Sequence, residues 1–289
     1  MRTSRTGIIA EAGINHDGSI ETALAMVDAA AEAGADIVKF QSFSAEALVT
    51  PDAEMSSYIV AGKAPEESFR DVLRRLEIDR AGLERLAERC AERGIEFLST
   101  PFHVEALDTL LELGMQRVKI ASGDLTHLPL LQAIAERGKP MILSTGMGTL
   151  GEIEEAVATI VERGGNDQLS LMHCVSWYPA EIDDVQLRYM ETLRQAFGLP
   201  VGYSDHTLGT SAAIAARALG ATWVERHYTL DRTWKGTDHA ASLEPDGLRK
   251  LVRNSKAVAQ ALCYKPEELL EIELPQRKKL KWGEFNKAQ

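Results

Sequence analysis

Short apolar runs rich in β-branched residues alternate along the chain with longer Ala-, Leu- and Glu-rich segments whose apolar positions recur at helical spacing. The apolar runs predict eight strands, at 8–12, 37–43, 96–100, 117–122, 141–145, 169–175, 201–205 and 223–229. The segments between them predict helices near 20–34, 80–93, 104–113, 128–137, 150–164, 185–197, 209–219 and 244–262. Strict alternation predicts an α/β fold, a single (β/α)8 TIM barrel, with an open doubly wound sheet as the alternative.

Two segments interrupt this alternation. The stretch 44–78 is too long for an ordinary βα loop and contains Tyr58, Phe69 and mixed charges, so we expect it to fold over the mouth of the barrel. The segment 266–289 is rich in Glu and Lys and contains a basic cluster at 277–281, which is typical of a solvated or oligomer-contacting tail. The predicted organisation is therefore a barrel domain over 1–265 and a charged tail over 266–289.

Composition excludes several classes of protein. The chain is 45% hydrophobic and 26% charged, which is typical of a folded globular protein. Its net charge of -11 argues against a general nucleic-acid binder, since such proteins neutralise phosphates with Lys and Arg. Three scattered cysteines do not fit a disulfide framework, and no apolar stretch is long enough for a membrane span or a signal peptide. We expect a cytoplasmic protein without a membrane partner.

Polar residues end nearly every predicted strand. In a TIM barrel the active site lies at the carboxyl ends of the strands, so these residues are candidates for one site. They are Glu11, Gln41, Thr100, Ser122, Asp124, Ser144, Ser176, Tyr178, Ser204, His206 and His227. A polar residue at the end of nearly every strand is stronger evidence for a single active site than any one of these residues alone.

Lys39 and Lys119 lie inside otherwise apolar runs, where a charge is costly unless it meets an opposite charge. With the nearby hydroxyls, both lysines can surround a phosphate or a carboxylate. Two alternatives remain at this point: the lysines can be snorkelling residues on the barrel wall, or one of them can be a Schiff-base nucleophile.

His206 and His227 end neighbouring strands with one helix between them, which places two imidazoles side by side at the barrel mouth. A divalent zinc, manganese or iron ion can bind two imidazoles and keep positions open for water and substrate. Such a metal polarises a carbonyl or positions a water molecule. The other histidines, His103, His127 and His239, are interpreted as structural.

Three carboxylates complete the candidate chemistry. Glu11 ends the first strand and is interpreted as an acceptor for a sugar hydroxyl or as a proton shuttle. Asp238 follows the last strand in a glycine-containing loop, where it is either a site residue or a turn-forming Asp. Asp205, beside His206, is expected to orient that imidazole.

Several motifs match, in order over about residues 7–262, the catalytic domain of the N-acetylneuraminate (sialic acid) synthase family. They are Ile-Ala-Glu-Ala-Gly-Ile-Asn-His at 9–16, Ala-Asp-Ile-Val-Lys-Phe-Gln at 35–41, Lys-Ile-Ala-Ser-Gly at 119–123, Leu-Ser-Thr-Gly-Met at 143–147, Gly-Tyr-Ser-Asp-His-Thr-Leu-Gly at 202–209 and Gly-Thr-Asp-His at 236–239. The stretch 202–209 is the most specific of them. The chain thus resembles an enzyme family that condenses phosphoenolpyruvate with an open-chain amino-sugar aldehyde, giving a nonulosonic acid and phosphate.

The resemblance implies a role for each candidate. The implied phosphoenolpyruvate-binding residues are Lys39, Thr100, Lys119, Ser122, Ser144, Ser176 and Ser204, and the implied sugar-binding residues are Glu11, Gln41, Asp124, Tyr178 and Asp238. The implied metal ligands are His206 and His227, with Mn2+ as the usual metal. Glu11, both lysines and both histidines are implied to be catalytic. In this mechanism C3 of the enol phosphate attacks the metal-polarised aldehyde, water steered by Glu11 adds at C2, and the C–O bond to phosphate breaks.

Three departures from the family pattern qualify the resemblance. Asp124 stands where the family commonly has Glu, and Ser176 stands where it commonly has Asn. The antifreeze-like C-terminal domain of typical members, which supplies an arginine to the sugar site of the partner subunit, is not expected in this chain. A homodimer is the expected assembly. The functional alternatives are a Schiff-base lysine aldolase and a non-catalytic sugar-acid binder.

Overall fold

The computed structural model describes residues 6–50, 68–165 and 168–281, and their centre is one sheet of eight parallel strands. The strands are β1 (Gly7–Gly13), β2 (Ile37–Ser42), β3 (Glu96–Pro101), β4 (Val118–Ile120), β5 (Met141–Ser144), β6 (Leu169–Cys174), β7 (Val201–Asp205) and β8 (Trp223–His227). Each prediction of a strand is confirmed, with shifts of a few residues at the ends. The largest shift is at β4, because Ser122–Asp124 turns into a short 3-10 helix instead of continuing the strand.

The sheet curls into a nearly closed barrel. The strand order is β3-β2-β1-β8-β7-β6-β5-β4, and β3 and β4 at its two ends lie side by side. The register places Glu11 of β1 beside Lys39 of β2 on one side and beside His227 of β8 on the other. Because side chains alternate along a strand, this register directs all three toward the barrel mouth. The prediction of a TIM barrel is confirmed.

Helices pack around the barrel in the predicted alternation. In chain order, including short helices outside the repeat, they are α1 (Ile20–Ala33), α2 (Ala45–Leu48), α3 (Phe69–Leu76), α4 (Arg80–Arg93), α5 (Val104–Glu112), α6 (Leu128–Glu136), α7 (Leu150–Glu162), α8 (Tyr189–Phe197), α9 (Ser211–Ala218), α10 (Pro245–Ala261) and α11 (Leu274–Leu280). Helix α1 is capped at its N-terminus by Ser19, whose hydroxyl accepts from the Thr22 N–H, and at its C-terminus by Gly34 in the left-handed conformation. The predicted helix at 185–197 begins later, at Tyr189, because Gln186 has a φ of 47°.

The segment after β2 contains two of the extra helices. Helices α2 and α3 enclose a small apolar cluster of their own, built on Phe43, Val72, Leu73 and Leu76. The predicted position of this segment at the barrel mouth is confirmed for its described part, since Leu48 and Leu73 line the mouth cavity. Tyr58 lies outside the described residues.

The opposite end of the barrel is filled by aromatic and charged side chains. Trp223, at the start of β8, lies against Gly7 of β1, where a Cβ atom would collide with the indole ring. The guanidinium of Arg117, which precedes β4, lies 4.9 Å from the centre of the Trp223 ring and also pairs with Glu96 of β3. These contacts close the floor of the barrel and leave its mouth as the open end.

The C-terminal part of the described chain lies outside the barrel. Between residues 266 and 281 it forms a 3-10 turn at Glu271–Glu273 and the short helix α11, and Ile272 and Leu280 are largely exposed. Within the described ranges, no helix has the length and apolar character that a membrane crossing requires.

Candidate active site

A cavity of about 490 Å³ opens at the carboxyl ends of the strands. All of the predicted site residues except Asp124 line it. They are Glu11, Lys39, Gln41, Thr100, Lys119, Ser122, Ser144, Ser176, Tyr178, Ser204, His206, His227 and Asp238. The barrel therefore brings together residues from every part of the chain, as the pattern of polar strand ends predicts.

Two lysines and two carboxylates form the bottom of this cavity. Lys39 Nζ lies 2.8 Å from Glu11 Oε2 and 3.7 Å from Glu225 Oε2. Lys119 Nζ lies 3.8 Å from the other oxygen of Glu225. All four side chains are almost completely buried. The charges nearly cancel, which is how a low-dielectric site tolerates two ammonium groups.

The network shifts the pKa values of its members in different directions. Burial raises the pKa of Glu11 to about 7, against the opposing effect of Lys39. Burial favours the neutral form of Lys39 too, but Glu11 and Glu225 outweigh it and raise its pKa. Lys119 has less compensation, so burial lowers its pKa. For Glu225, burial is outweighed by Lys119 and Lys39, and its pKa is lowered.

Hydroxyl groups surround the two ammonium groups. Lys39 donates to Thr100 Oγ1 at 3.3 Å, and Lys119 donates to Ser144 Oγ at 2.7 Å. The Ser204 hydroxyl donates to Glu225 at 3.1 Å. The Ser122 hydroxyl accepts from the Gly146 N–H at 3.1 Å and lies 3.1 Å from the Cys174 sulfur. This side of the cavity therefore presents ammonium and hydroxyl donors to an anion.

The two histidines at the ends of β7 and β8 face each other across the mouth. Their ring centres are 5.4 Å apart, with 63° between the ring planes. His206 Nδ1 lies 2.7 Å from the Val175 carbonyl and therefore carries the hydrogen, which leaves Nε2 as an acceptor, 3.4 Å from the Ser204 hydroxyl oxygen. Burial lowers the pKa of His206 to about 4, and burial together with His206 lowers the pKa of His227 well below its ordinary value. Both imidazoles are neutral at physiological pH.

These features fit a divalent metal. Neutral imidazole nitrogens are good ligands, and the buried Nδ1 of His227 has no hydrogen-bond partner among the described residues. Asp238 Oδ2 lies 3.4 Å from that nitrogen, and burial raises the pKa of Asp238 to about 6. Across the ranges 6–50, 68–165 and 168–281, no group of three or more His, Cys, Asp or Glu is arranged to hold a metal. The fit is to a site with two protein ligands.

The remaining predicted sugar-binding residues lie around this pair. Gln41 donates to Glu11 Oε1 at 3.2 Å, and the ring of Tyr178 lies 4.2 Å from that of His206. Asp124 does not line the cavity, and its Oδ1 lies 3.6 Å from Nδ1 of His127. A sugar contact by Asp124 remains a prediction.

The expectation that Asp205 orients His206 is wrong. The imidazole is held by the Val175 carbonyl, whereas the Asp205 carboxylate accepts from the Tyr203 hydroxyl and from the backbone and side chain of Thr207. Adjacent residues on a strand point to opposite faces, so Asp205 points away from the mouth. Its partner there is the buried Arg226, whose Nη1 lies 3.7 Å from the carboxylate.

Arg226 connects the backbone around both histidines. Its guanidinium donates to the carbonyls of Asp205 and Thr207, on either side of His206, and to that of Ala241 in the loop after β8. The same loop is fixed from another side by His239, which lies 2.7 Å from Thr229 Oγ1 and 3.0 Å from Asp17 Oδ2. The structural interpretation of His239 is consistent with these contacts.

Glu225 is the important residue that sequence reasoning missed. It contacts both lysines, yet it lies inside the run Val-Glu-Arg-His at 224–227, where the pattern of polar strand ends indicates only the terminal histidine. The signal available in the sequence is the spacing of two residues between Glu225 and His227. Residues two apart on a strand share a face, so a mouth-facing His227 implies a mouth-facing Glu225.

Comparison of the sequence and the fold with those of known proteins identifies relatives of this chain. The sequence profile of the NeuB family matches residues 26–267. The N,N'-diacetyllegionaminic acid synthase of Campylobacter jejuni is 44% identical over 259 residues, which are 89% of this chain and 78% of that protein. The human N-acetylneuraminate-9-phosphate synthase is 36% identical over 280 residues, which are 94% and 76% of the two chains. The crystal structure of the sialic acid synthetase of Leptospira borgpetersenii, in complex with citrate, superposes with a TM-score of 0.82 at 35% identity, covering 97% of this chain and 94% of that one.

Proposed function

Because this chain belongs to the NeuB family of enzymes, we propose that it condenses phosphoenolpyruvate with an open-chain amino-sugar aldehyde to give a nonulosonic acid and inorganic phosphate. The observation that carries the proposal is the buried pair of lysines beside two neutral histidines. Lys39 and Lys119 provide positive charge for a small anion, while His206 and His227 stand next to the space where its reaction partner must lie.

In this proposal the enol phosphate binds with its phosphate group on the β4–β7 side of the cavity and its carboxylate toward β2 and β3. Lys119 and the hydroxyls of Ser122, Ser144, Ser176 and Ser204 face the phosphate, and Lys39 with Thr100 faces the carboxylate. Charge-assisted hydrogen bonds from buried lysines are strong because water does not compete with them. The two ammonium groups are already in position before the anion arrives, so little reorganisation is required.

The aldehyde binds between the histidines and the carboxylates. Mn2+, the metal we propose for His206 and His227, would act when bound as a Lewis acid toward the aldehyde carbonyl. Gln41, Tyr178 and Asp238 then orient the sugar hydroxyl and acylamino groups. Holding both reactants in one cavity accounts for much of the expected rate enhancement.

Bond formation begins when C3 of the enol phosphate attacks the aldehyde carbon, whose oxygen takes up a proton from the protonated form of Glu11 and becomes a hydroxyl. The carboxylates of Glu11 and Glu225 face the positive charge that develops at C2. A water molecule adds at C2 and gives its proton to Glu11, whose pKa of about 7 suits proton transfer at neutral pH. The C2 hydroxyl then passes its proton to the departing phosphate as the C2–O bond to the phosphate breaks, which leaves the keto group.

The test measures phosphate released from phosphoenolpyruvate with Mn2+, with and without an amino-sugar aldehyde. We expect release only when the aldehyde is present, loss of activity in a chelator, and recovery on adding Mn2+. Phosphoenolpyruvate labelled with 18O in the bridging oxygen should yield labelled phosphate.

His206→Ala should abolish turnover, whereas the control His127→Ala, at a half-exposed residue outside the cavity, should not. Absence of aldehyde-dependent release would leave a non-catalytic sugar-acid binder as the better description.

One observation favours a second candidate, a Schiff-base aldolase. The pKa of Lys119 is lowered by burial, which makes its amine more nucleophilic than that of an ordinary lysine. Borohydride treatment with pyruvate distinguishes the two mechanisms. A trapped adduct on Lys119, with full activity in chelator, would support the aldolase and contradict the metal-dependent synthase.

A further inference from the structure

Cys174 lies in the cavity, but no step of the proposed mechanism uses it. It is the last residue of β6, its side chain is almost completely buried, and it lines the cavity among the hydroxyl groups assigned to the phosphate. A buried cysteine usually behaves as a small apolar side chain. Cys174 has polar surroundings instead, since its sulfur lies 3.1 Å from the Ser122 hydroxyl oxygen.

The groups around this sulfur meet at Gly146, two residues after the end of β5. A Cβ atom on Gly146 would lie 2.7 Å from the Cys174 sulfur and 2.8 Å from the Ser122 hydroxyl. The N–H of Gly146 donates to the Ser122 oxygen at 3.1 Å. The ends of three consecutive strands, β4, β5 and β6, therefore hold one hydroxyl and one thiol side by side.

The Ser122 hydroxyl has two lone pairs that accept and one hydrogen that it can donate. The Gly146 N–H occupies one lone pair, and the thiol hydrogen of Cys174 is in place for the other. With both lone pairs occupied, the hydroxyl hydrogen has to point elsewhere. The open direction is the cavity, which Ser122 lines.

The direction of the thiol–hydroxyl bond follows from the strengths of the two groups. A hydroxyl oxygen is a better acceptor than a thiol sulfur, so the S–H donates to the oxygen once an anion accepts the hydroxyl hydrogen. The thiol keeps its hydrogen at neutral pH, since burial raises the pKa of Cys174 against the opposing effects of Ser122 and Lys119. Hydrogen bonds linked in this way strengthen one another in a low-dielectric site.

We propose that Cys174 is a positioning residue, whose thiol donates to the Ser122 oxygen and so directs the Ser122 hydroxyl hydrogen toward the bound phosphate. The proposal rests on the proposed function, in which Ser122 faces the phosphate of phosphoenolpyruvate. Cys174 acts through Ser122 and does not have to touch the anion. Loss of the thiol should therefore weaken anion binding and leave the bond-forming steps nearly unchanged.

The test measures the affinity for phosphoenolpyruvate by isothermal titration calorimetry with Mn2+ and without aldehyde, so that binding is observed apart from turnover. We expect Cys174→Ala to raise Kd about 5- to 10-fold, and Cys174→Ser, which keeps a donor, to recover most of the affinity. The matched control Cys90→Ala removes a buried thiol from α4, outside the cavity, and should leave Kd unchanged. Natural affinity in Cys174→Ala, or no recovery in Cys174→Ser, would overturn the proposal.

A double-mutant cycle shows whether the thiol acts through Ser122. Ser122→Ala should itself raise Kd, and adding Cys174→Ala to it should cause no further loss, because no hydroxyl is left to orient. Independent losses that multiply would show that Cys174 acts in another way. Thermal unfolding of each variant shows whether the barrel is retained.

The natural chain allows a measurement that depends on no variant. The infrared S–H stretch falls in frequency when the thiol donates a stronger hydrogen bond. Cys90 and Cys263 lie outside the cavity, so the band that responds to phosphoenolpyruvate should be that of Cys174. We expect this band to move to lower frequency on binding, and unchanged S–H bands in the bound protein would contradict the proposal.

The role of Cys174 and the proposed function can fail separately. In the phosphate-release assay, Cys174→Ala should raise KM for phosphoenolpyruvate and change kcat by less than about 2-fold. Aldehyde-dependent release with the same KM in both proteins would overturn the role of Cys174 alone. If phosphoenolpyruvate binds but no release follows, the proposed function fails and the comparison of Kd values still decides the role of Cys174. A natural chain that does not bind phosphoenolpyruvate would overturn both.

Discussion

At the scale of single residues, His16 makes the fold sensitive to acid. The imidazole is fully buried, Nδ1 accepts from the Gly18 N–H at 3.0 Å, and burial lowers its pKa from 6.5 to about 4. As the pH falls, the unfolded chain protonates His16 at a higher pH than the folded chain does. The stabilisation of the fold that goes with a neutral His16 is therefore fully present above pH 6.5 and is lost as the pH falls toward 4. Between pH 7.5 and pH 5 we expect His16 to lower the free energy of unfolding by about 2 kcal/mol.

Urea unfolding of the natural chain and of His16→Gln at both pH values checks this contribution. The glutamine can still accept from Gly18 but does not titrate, so the variant should lose this part of the pH dependence. The other buried histidines are the same in both proteins and cancel in the comparison. Equal pH dependence in the two proteins would contradict the assignment.

Gly146 is a second residue whose identity matters. A Cβ atom there would collide with the Ser176 hydroxyl and lie 2.7 Å from the Cys174 sulfur and 2.8 Å from the Ser122 hydroxyl. Gly146→Ala should therefore displace the proposed phosphate ligands and raise KM for phosphoenolpyruvate about 10-fold or more. The matched control is Gly151→Ala on α7, where the new methyl group meets nothing within 4 Å. Steady-state kinetics would contradict the prediction if both variants had the same KM.

At the scale of secondary-structure elements, Arg226 couples β7 to β8. Its guanidinium binds the carbonyls of Asp205 and Thr207 and so fixes the backbone on both sides of His206. Arg226→Met should weaken Mn2+ binding about 10- to 100-fold, because the spacing of the two histidines is no longer held. Arg226→Lys should recover part of the loss. The electron paramagnetic resonance signal of free Mn2+ measures the affinity without an activity assay.

The control for this prediction is Arg194→Met, which removes an exposed arginine that binds the carbonyl of Leu219. It should leave Mn2+ affinity unchanged. Thermal unfolding of each variant shows whether the barrel is retained. Natural affinity in a folded Arg226→Met would show that Arg226 does not position the metal site.

The elements themselves could be predicted from the sequence, since apolar runs such as 141–144 and helical spacing such as that at 80–93 report directly on burial. The residues at the barrel mouth could be predicted as well, because the carboxyl end of each strand has a fixed place in a barrel.

Three features could not be predicted from the sequence. The partners of Asp205 and Arg226 depend on which strand face packs against the helices, the shortening of β4 depends on the turn at Ser122, and α2 and α3 lie in an insertion without a repeat to guide prediction.

At the scale of the whole molecule, apolar side chains are exposed on the loops after β5, β6 and β7. They are Met147, Trp177, Ile182 and Leu208, each at least 59% exposed. Exposed apolar groups gathered on one face are typical of an interface, so we expect this face to be covered in the predicted homodimer.

Light scattering should give twice the chain mass of 31.7 kDa. The double change Trp177→Glu and Ile182→Glu should produce monomers, and Leu219→Glu near the opposite end of the barrel should not. A natural chain that is monomeric would contradict this expectation.

The floor of the barrel has a consequence for how the chain folds as it is synthesised. Gly7 and Trp223 are in contact although they lie near opposite ends of the sequence, and β1 pairs with both β2 and β8. One edge of β1 therefore has no partner until the ribosome has released β8. An open strand edge is prone to pair with other chains, so the nascent protein passes through a long interval in which it is vulnerable to aggregation. The final strand both carries His227 and ends that interval.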